Sequence, residues 1–316
     1  MKKQLKIFIP IALGVFFIYL TFQITSEAER ALIWGYIKSA QTEYVLAAMG
    51  LGASADIIRG LRWQFLSKAI GYNSISIISV ASVFMCYTSN MAIPRSGEIV
   101  RATTLSEYNK IPISKTFGTI AAERVVDISI SILILVTVWL LKFEVILESF
   151  FDDDFLYFVN NNMATILSIL FFVILAIGFI IFKIEKVKNF FNGILEGFLS
   201  LTKLKKKLIP FILFSALIWT CYILAFFVIK FSVYELQIID NSLIFPAFIV
   251  GVFSISLSNH GLGVYPLAIS LFLLNFGINT EIGLTYGWLA WSCQAIITLF
   301  FGGLSFFVLP LLKISD

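Results

Sequence analysis

Long apolar stretches alternate with short polar ones along the whole chain. Runs of about 18 residues or more, the length that crosses a hydrocarbon core of roughly 30 Å, fall at residues 7–24, 44–66, 117–141, 164–182, 208–231 and 284–312. These predict six membrane-crossing helices. Two further apolar stretches, 75–93 and 243–276, are each interrupted by a loop rich in Pro, Gly or Asn. Irregular backbone at membrane depth is tolerated only where protein or a wet cavity surrounds it, so each reads as a broken-helix hairpin that leaves on the side it entered.

Composition supports the pattern. Of 316 residues, 59% are hydrophobic and 13% charged, against about 25% charged in an ordinary soluble domain. The chain is therefore expected to be an all-α, polytopic membrane protein. Its first apolar run is longer than the roughly 7 to 15 residues of a signal-peptide core and is read as an uncleaved anchor. Cys86, Cys221 and Cys293 lie in apolar runs without metal-ligand spacing, so neither a disulfide framework nor a metal site is predicted. The net charge of +4 sits on membrane-flanking segments and speaks for topology rather than nucleic-acid binding.

Charge also decides how the interrupted stretches run. Lys2, Lys3 and Lys6 place the N-terminus in the cytoplasm, and two crossings return the chain there at Arg59, Arg62 and Lys68. If 75–93 crossed fully, Asp152, Asp153 and Asp154 would be inside and Lys203 to Lys207 outside, against the bias. A re-entrant hairpin restores it, and the same reasoning makes 243–276 re-entrant from the other side, with the C-terminus cytoplasmic.

The halves can be laid on one another. SNMAIPRSGEIV falls beside SNHGLGVYPL, and Gly97 precedes Ser114 by 17 positions as Gly263 precedes Thr280. The first half, 1–150, holds spans 7–24 and 44–66, hairpin 75–108 and span 114–141. The second, 151–316, holds spans 164–182 and 208–231, hairpin 243–276 and span 280–312. Three crossings per half invert one half relative to the other, an arrangement common among secondary transporters.

Several polar groups stand where apolar ones are expected. In the first hairpin, Arg95, Glu98 and Arg101 surround Pro94 and Gly97, with Asn90 just before them. A helix starting near Gly97 points backbone N–H groups at the apex, and guanidinium forks match phosphate; the alternative is a cytoplasmic loop whose arginines snorkel to lipid phosphates. Glu123, Arg124 and Asp127 lie in the next span, with Glu123 and Asp127 on one face. They line an interior path or form a structural ion pair. Asp56, Arg59 and Arg62 mark the inner end of the second span; there a positive-inside anchor, with Arg62 and Trp63 at the interface, is the favoured reading. The second hairpin offers Asn259, His260, Gly261 and Gly263. His260 is the single histidine, a potential proton shuttle, although a histidine bonded to backbone is preferred because no carboxylate is near it in sequence. Residues 183–207 carry apolar positions at helical spacing opposite lysines and predict a cytoplasmic interfacial helix.

The pattern N-x-x-x-P-R-x-G-E-x-x-R from Asn90 to Arg101, the Glu123-Arg124-x-x-Asp127 helix and the Gly261-Leu-Gly-Val264 loop resemble the lysylphosphatidylglycerol synthase transmembrane, or flippase-like, family of bacterial and archaeal membrane proteins. The chain resembles stand-alone members that lack the aminoacyl-transfer domain. That implies a multi-pass protein of the cytoplasmic membrane that translocates an anionic phospholipid or isoprenoid-linked lipid, with no cofactor. Its partners would be that lipid and the bilayer, with a homodimer or a lipid-modifying enzyme as candidate protein partners. The last span of the family usually carries an Arg; here none stands around Trp288 to Gln294, and Pro266 replaces an acid in the second loop.

No GxGxxG, P-loop, GxSxG or HExxH pattern occurs, so no catalytic role is assigned and ATP-driven transport is not expected. The competing functions are a secondary transporter of a small anion, a membrane enzyme using Glu98, Glu123 or Asp127 as base, and a scaffold for an enzyme that acts on lipid-linked substrate.

Overall fold

A computed structural model describes residues 14–150, 201–257 and 260–311. The described residues are helical and contain no strand. Two compact units result, one formed by 1–117 with 204–316, the other by 118–203. This packing division cuts across the sequence halves.

In the first unit, α1 (Gly14–Ile24) is followed by α2 (Glu27–Ser39), α3 (Thr42–Ala69), α4 (Ser76–Ala92) and α5 (Gly97–Asn109). Helix α6 (Ile113–Phe150) starts in this unit and continues into the second. The chain re-enters the first unit through a 3-10 turn, Lys205–Lys207, and continues as α7 (Leu208–Ile229), α8 (Asn241–Leu257), α9 (Val264–Leu274) and α10 (Thr280–Val308). The expected interfacial helix at 183–207 and the span at 164–182 fall almost wholly outside the described residues.

Three helices are long and apolar enough to cross a membrane among the described residues: Thr42–Ala69, Leu208–Ile229 and Thr280–Leu311. They match the second, fifth and last predicted spans. Apolar side chains such as Ile209, Leu213, Phe300 and Phe307 are exposed on α7 and α10, as lipid-facing helices require.

Both interrupted stretches are helical hairpins. In the first, α4 and α5 are neighbours. The Ile75 N–H donates to Asn109 Oδ1 at the open end (2.8 Å) and the Gly97 N–H donates to Asn90 Oδ1 at the apex (2.7 Å). The second pairs α8 with α9 across a glycine-rich loop. The spacing of the following helix is the same in both: α6 begins 16 residues after α5 begins, and α10 begins 16 residues after α9 begins.

Close helix contact rests on small residues, the usual device where lipid offers no hydrophobic drive to helix association. A Cβ at Gly60 would lie 2.5 Å from Val80 Cα, seating α3 on α4; a Cβ at Gly287 would lie 2.5 Å from Pro266 Cα, and one at Gly283 2.7 Å from Ser270 Cα, seating α10 on α9. Gly302 makes a similar seat for Thr88 of α4, whose hydroxyl donates to the Thr298 carbonyl at 2.6 Å.

Helix α2 was not anticipated from the apolar pattern. Ser26 caps it: its Oγ accepts from the Glu29 N–H (3.2 Å), and Glu29 Oε2 accepts from the Ser26 N–H (2.6 Å). That reciprocal box satisfies donors which the helix start leaves open. The backbone N–H contact holds the exposed Glu29 carboxyl below the ordinary carboxylate range.

Candidate functional site

Where three long apolar helices meet, the first unit buries charge. Asp56 and Arg62 are 0% exposed and Arg59 5%, while Arg101, on α5, is 2% exposed. Such groups are costly away from water unless held by partners. Asp56 Oδ1 accepts from the Tyr222 hydroxyl at 2.5 Å and Oδ2 from Gln294 Nε2 at 3.0 Å. One carboxylate therefore joins α3, α7 and α10. The Arg59 guanidinium lies over the Tyr222 ring at 5.9 Å, and Arg62 lies 5.2 Å from the Phe211 ring centre while its Nη1 donates to Ser215 Oγ at 2.8 Å.

Helical spacing explains the array. Asp56, Arg59 and Arg62 recur every three residues, so a slowly rotating stripe of α3 faces α7. On α7, Ser215 and Tyr222 lie seven apart, again one face. Gly52, one turn before Asp56, makes room for Gln294, because a Cβ there would lie 2.5 Å from the Gln294 side-chain oxygen.

This corrects the reading of Arg62 and Trp63 as an interface anchor. Both are 0% exposed; the stripe turns into the protein, since α7 supplies partners that no local sequence pattern discloses. Tyr222, Ser215 and Gln294 were not singled out as site residues. The available signal was a polar side chain inside each of the apolar runs 208–231 and 284–312.

The first hairpin separates its charges. Pro94 and Gly97 end α4 and open α5, and Arg95 takes the turn with φ 61°, a left-handed conformation unusual for a residue with a side chain. Arg95 is exposed, Glu98 half-buried in the first turn of α5, and Arg101 buried one turn further. Gly97 packs so tightly that a Cβ would collide with the Cys86 carbonyl. Ser96 Oγ donates to the Ser89 carbonyl at 2.9 Å, which fixes the turn.

The second apex is built from backbone. His260, Gly261 and Gly263 have φ of 55°, 78° and 72°. The Trp291 indole N–H donates to the His260 carbonyl at 3.0 Å, and the His260 ring stands 6.3 Å from the Tyr87 ring. Asn259 lies outside the described residues. That bond engages the His260 backbone and not its imidazole, whose neighbour is the Tyr87 ring.

In the second unit, Glu123 and Asp127 lie on one side of α6 and both are buried, while Arg124 is half-buried. Cys86, Cys221 and Cys293 are buried thiols with no disulfide between them, and no group of three metal-ligand side chains occurs among the described residues.

Comparison with known proteins places these features in a family. A UPF0104 membrane protein, MJ1595 of Methanocaldococcus jannaschii, is 34% identical over 91 residues, covering 28% of this chain and 27% of that protein. Glycosyltransferase AglD of Haloferax volcanii is 31% identical over 108 residues, covering 31% of this chain and 17% of that protein. The matched segments thus span about a quarter or less of these relatives. No solved structure matches the chain. The family described as lysylphosphatidylglycerol synthase TM region matches residues 7–302, nearly the whole sequence, and the chain belongs to that family.

Proposed function

We propose that the protein moves an anionic lipid, phospholipid or isoprenoid-linked, between membrane leaflets. The observation that carries this reading is the burial of Arg59, Arg62 and Arg101 among helices otherwise apolar. A guanidinium keeps its charge and presents a planar fork that matches phosphate oxygens, and intramembrane charge faces a bundle interior or substrate path. Arg95 and Glu98 at the first apex receive the headgroup, and Arg101, Arg59 and Arg62 hold it in passage. In the second unit, Glu123, Arg124 and Asp127 of α6 are further candidate headgroup-binding groups.

In this reading both hairpins are re-entrant, six spans cross the cytoplasmic membrane, and two inverted halves bring the apices toward the midplane with both termini in the cytoplasm. The equal 16-residue spacing after each apex and the loop charges support it. Membership in a family described by a lysylphosphatidylglycerol synthase membrane region supports a lipid cargo.

The test is leaflet exchange of a labelled phosphatidylglycerol in vesicles with and without reconstituted protein. Exchange should accelerate, and Arg101→Gln should slow it; equal rates in empty and loaded vesicles sink the reading. The partial likeness to a protein named as a glycosyltransferase favours a second reading, a membrane enzyme or scaffold for lipid-linked substrate. Product formed from a lipid-linked sugar by purified protein would establish it.

A further inference from the structure

The Asp56 cluster contains more than phosphate recognition requires. A headgroup site needs cations; here a carboxylate stands beside them, fully buried, accepting one hydrogen bond on each oxygen from two different helices. The groups that face it are Arg59 on its own helix, Tyr222 from α7 and Gln294 from α10. From α4, Tyr87 lies within electrostatic reach of Tyr222, and the ring of Tyr87 neighbours that of His260 at the second apex. Asp56, Tyr222, Tyr87 and His260 thus form a row of titratable side chains running from the junction of three long helices to the apex of a hairpin, all within one compact unit.

We propose that Asp56 is the proton-binding group of the transport cycle, and that its proton switches the link between α3 and α10. The proposal rests on the transport reading above and supplies its energy source. A proton delivered from water binds Oδ2 of the carboxylate and converts it to the neutral acid. No other covalent bond changes. An oxygen that carries a proton becomes a donor and a poorer acceptor, so the bond that Gln294 Nε2–H gives to α3 is exchanged for a differently aimed one to the Gln294 side-chain oxygen, while Tyr222 still donates to Oδ1. Release of the proton to water at the opposite membrane face restores the bond, and one positive charge crosses per cycle.

The fold makes this link consequential. Helix α10 bears the seats of both hairpins, with Gly283 and Gly287 against α9 and Gly302 against α4, and its Trp291 holds the His260 carbonyl. Gln294 lies between these seats. Re-aiming its link to α3 therefore acts on the helix that positions both apices. A charged group with two discrete arrangements at such a junction is the physical requirement for coupling, and intramembrane carboxylates commonly serve as proton relays.

Two measurements test the proposal on the purified full chain. Infrared pH-difference spectra should show a protonated-carboxyl band in the wild type that is missing in Asp56→Asn. Tyr222→Phe and Gln294→Leu should raise the midpoint of that band by about half a pH unit or more, because each removes a donor that favours the carboxylate. A purely structural carboxylate would leave no titrating band to shift. In vesicles of phosphatidylethanolamine and labelled phosphatidylglycerol, an imposed pH gradient should change wild-type exchange by at least about fivefold, and a protonophore should abolish the change.

Asp56→Asn, checked for folding by its elution in detergent, should not respond to the gradient. A band that persists in Asp56→Asn, or a wild-type rate indifferent to the gradient, overturns the proposal. A band belonging to Asp56 with no lipid exchange in any vesicle upholds the proton site and overturns the lipid cargo instead. If Asp56→Asn fails to fold, the midpoints of Tyr222→Phe and Gln294→Leu decide, and unshifted midpoints overturn the proposal.

Discussion

The two hairpins have the same plan and opposite chemistry. The first is closed by side chains: Asn90 and Ser96 bind backbone across the turn, Arg95 sits in the turn itself, and Glu98 and Arg101 lie three residues apart in α5. The second is closed by backbone, with Gly261 and Gly263 in left-handed conformations and a tryptophan from α10 holding the His260 carbonyl. Among the described residues each places one non-glycine residue, Arg95 or His260, at positive φ. The shared plan fixes geometry, while the residues hung on it divide the work. One hairpin carries charged side chains, and the other is tied to the helix that carries Gln294.

Gly97→Val should have the largest effect on this comparison, because the added atoms meet the Cys86 carbonyl backbone, which cannot yield as a flexible side chain can. A loss of about 3 kcal/mol or more is expected, the upper range for overpacking, read as a lower thermal midpoint in detergent. Gly287→Ala, which presses on Pro266 of the second hairpin, should cost about 1 to 3 kcal/mol by the same measurement. An unchanged midpoint in either would show that the hairpins are not seated as described.

Arg95→Ala separates function from stability. The side chain is exposed, so the midpoint should move by no more than about 0.5 kcal/mol equivalent, while lipid exchange slows. Equal exchange would remove the first apex from the path. Trp291→Phe deletes the donor to His260 and should cost about 1 kcal/mol, with loosening of the second apex alone. Hydrogen exchange at residues 260–264 reads it, and protection lost equally at both apices would contradict the division.

The smallest effect belongs to neither hairpin. Because the folded Glu29 carboxyl titrates below its unfolded value, it contributes stability above the unfolded pKa, and this is lost as pH falls through the folded one. Glu29→Gln should erase that acid-side dependence in a pH series of midpoints, whereas Ser26→Ala, which keeps the backbone N–H donor, should only reduce it.

Much of this architecture is legible locally. Pro94 and Gly97 announced a break, and the helices Ser76–Ala92 and Gly97–Asn109 lie on either side of it. Runs 44–66 and 208–231 became helices Thr42–Ala69 and Leu208–Ile229. Helix α2 was missed although Ser26 and Glu29 spell a capping box, because its apolar face is too short to register beside the spans. The Asp56 cluster was misjudged for a different reason. Arg62 near the end of an apolar run looks like an interface residue until Ser215, 153 positions away, is seen to bind it. Contacts of that separation leave no periodic trace in a single sequence.

The same separations impose an order of events. Tyr222 lies 166 residues and Gln294 238 residues beyond Asp56. At the ribosomal pace of about 5 to 20 residues per second, the carboxylate is made roughly 12 to 48 s before its last donor exists. Helix α3 must therefore be delivered to the bilayer with only its own Arg59 beside the carboxylate, and the three-helix junction is locked only when α10 is synthesised.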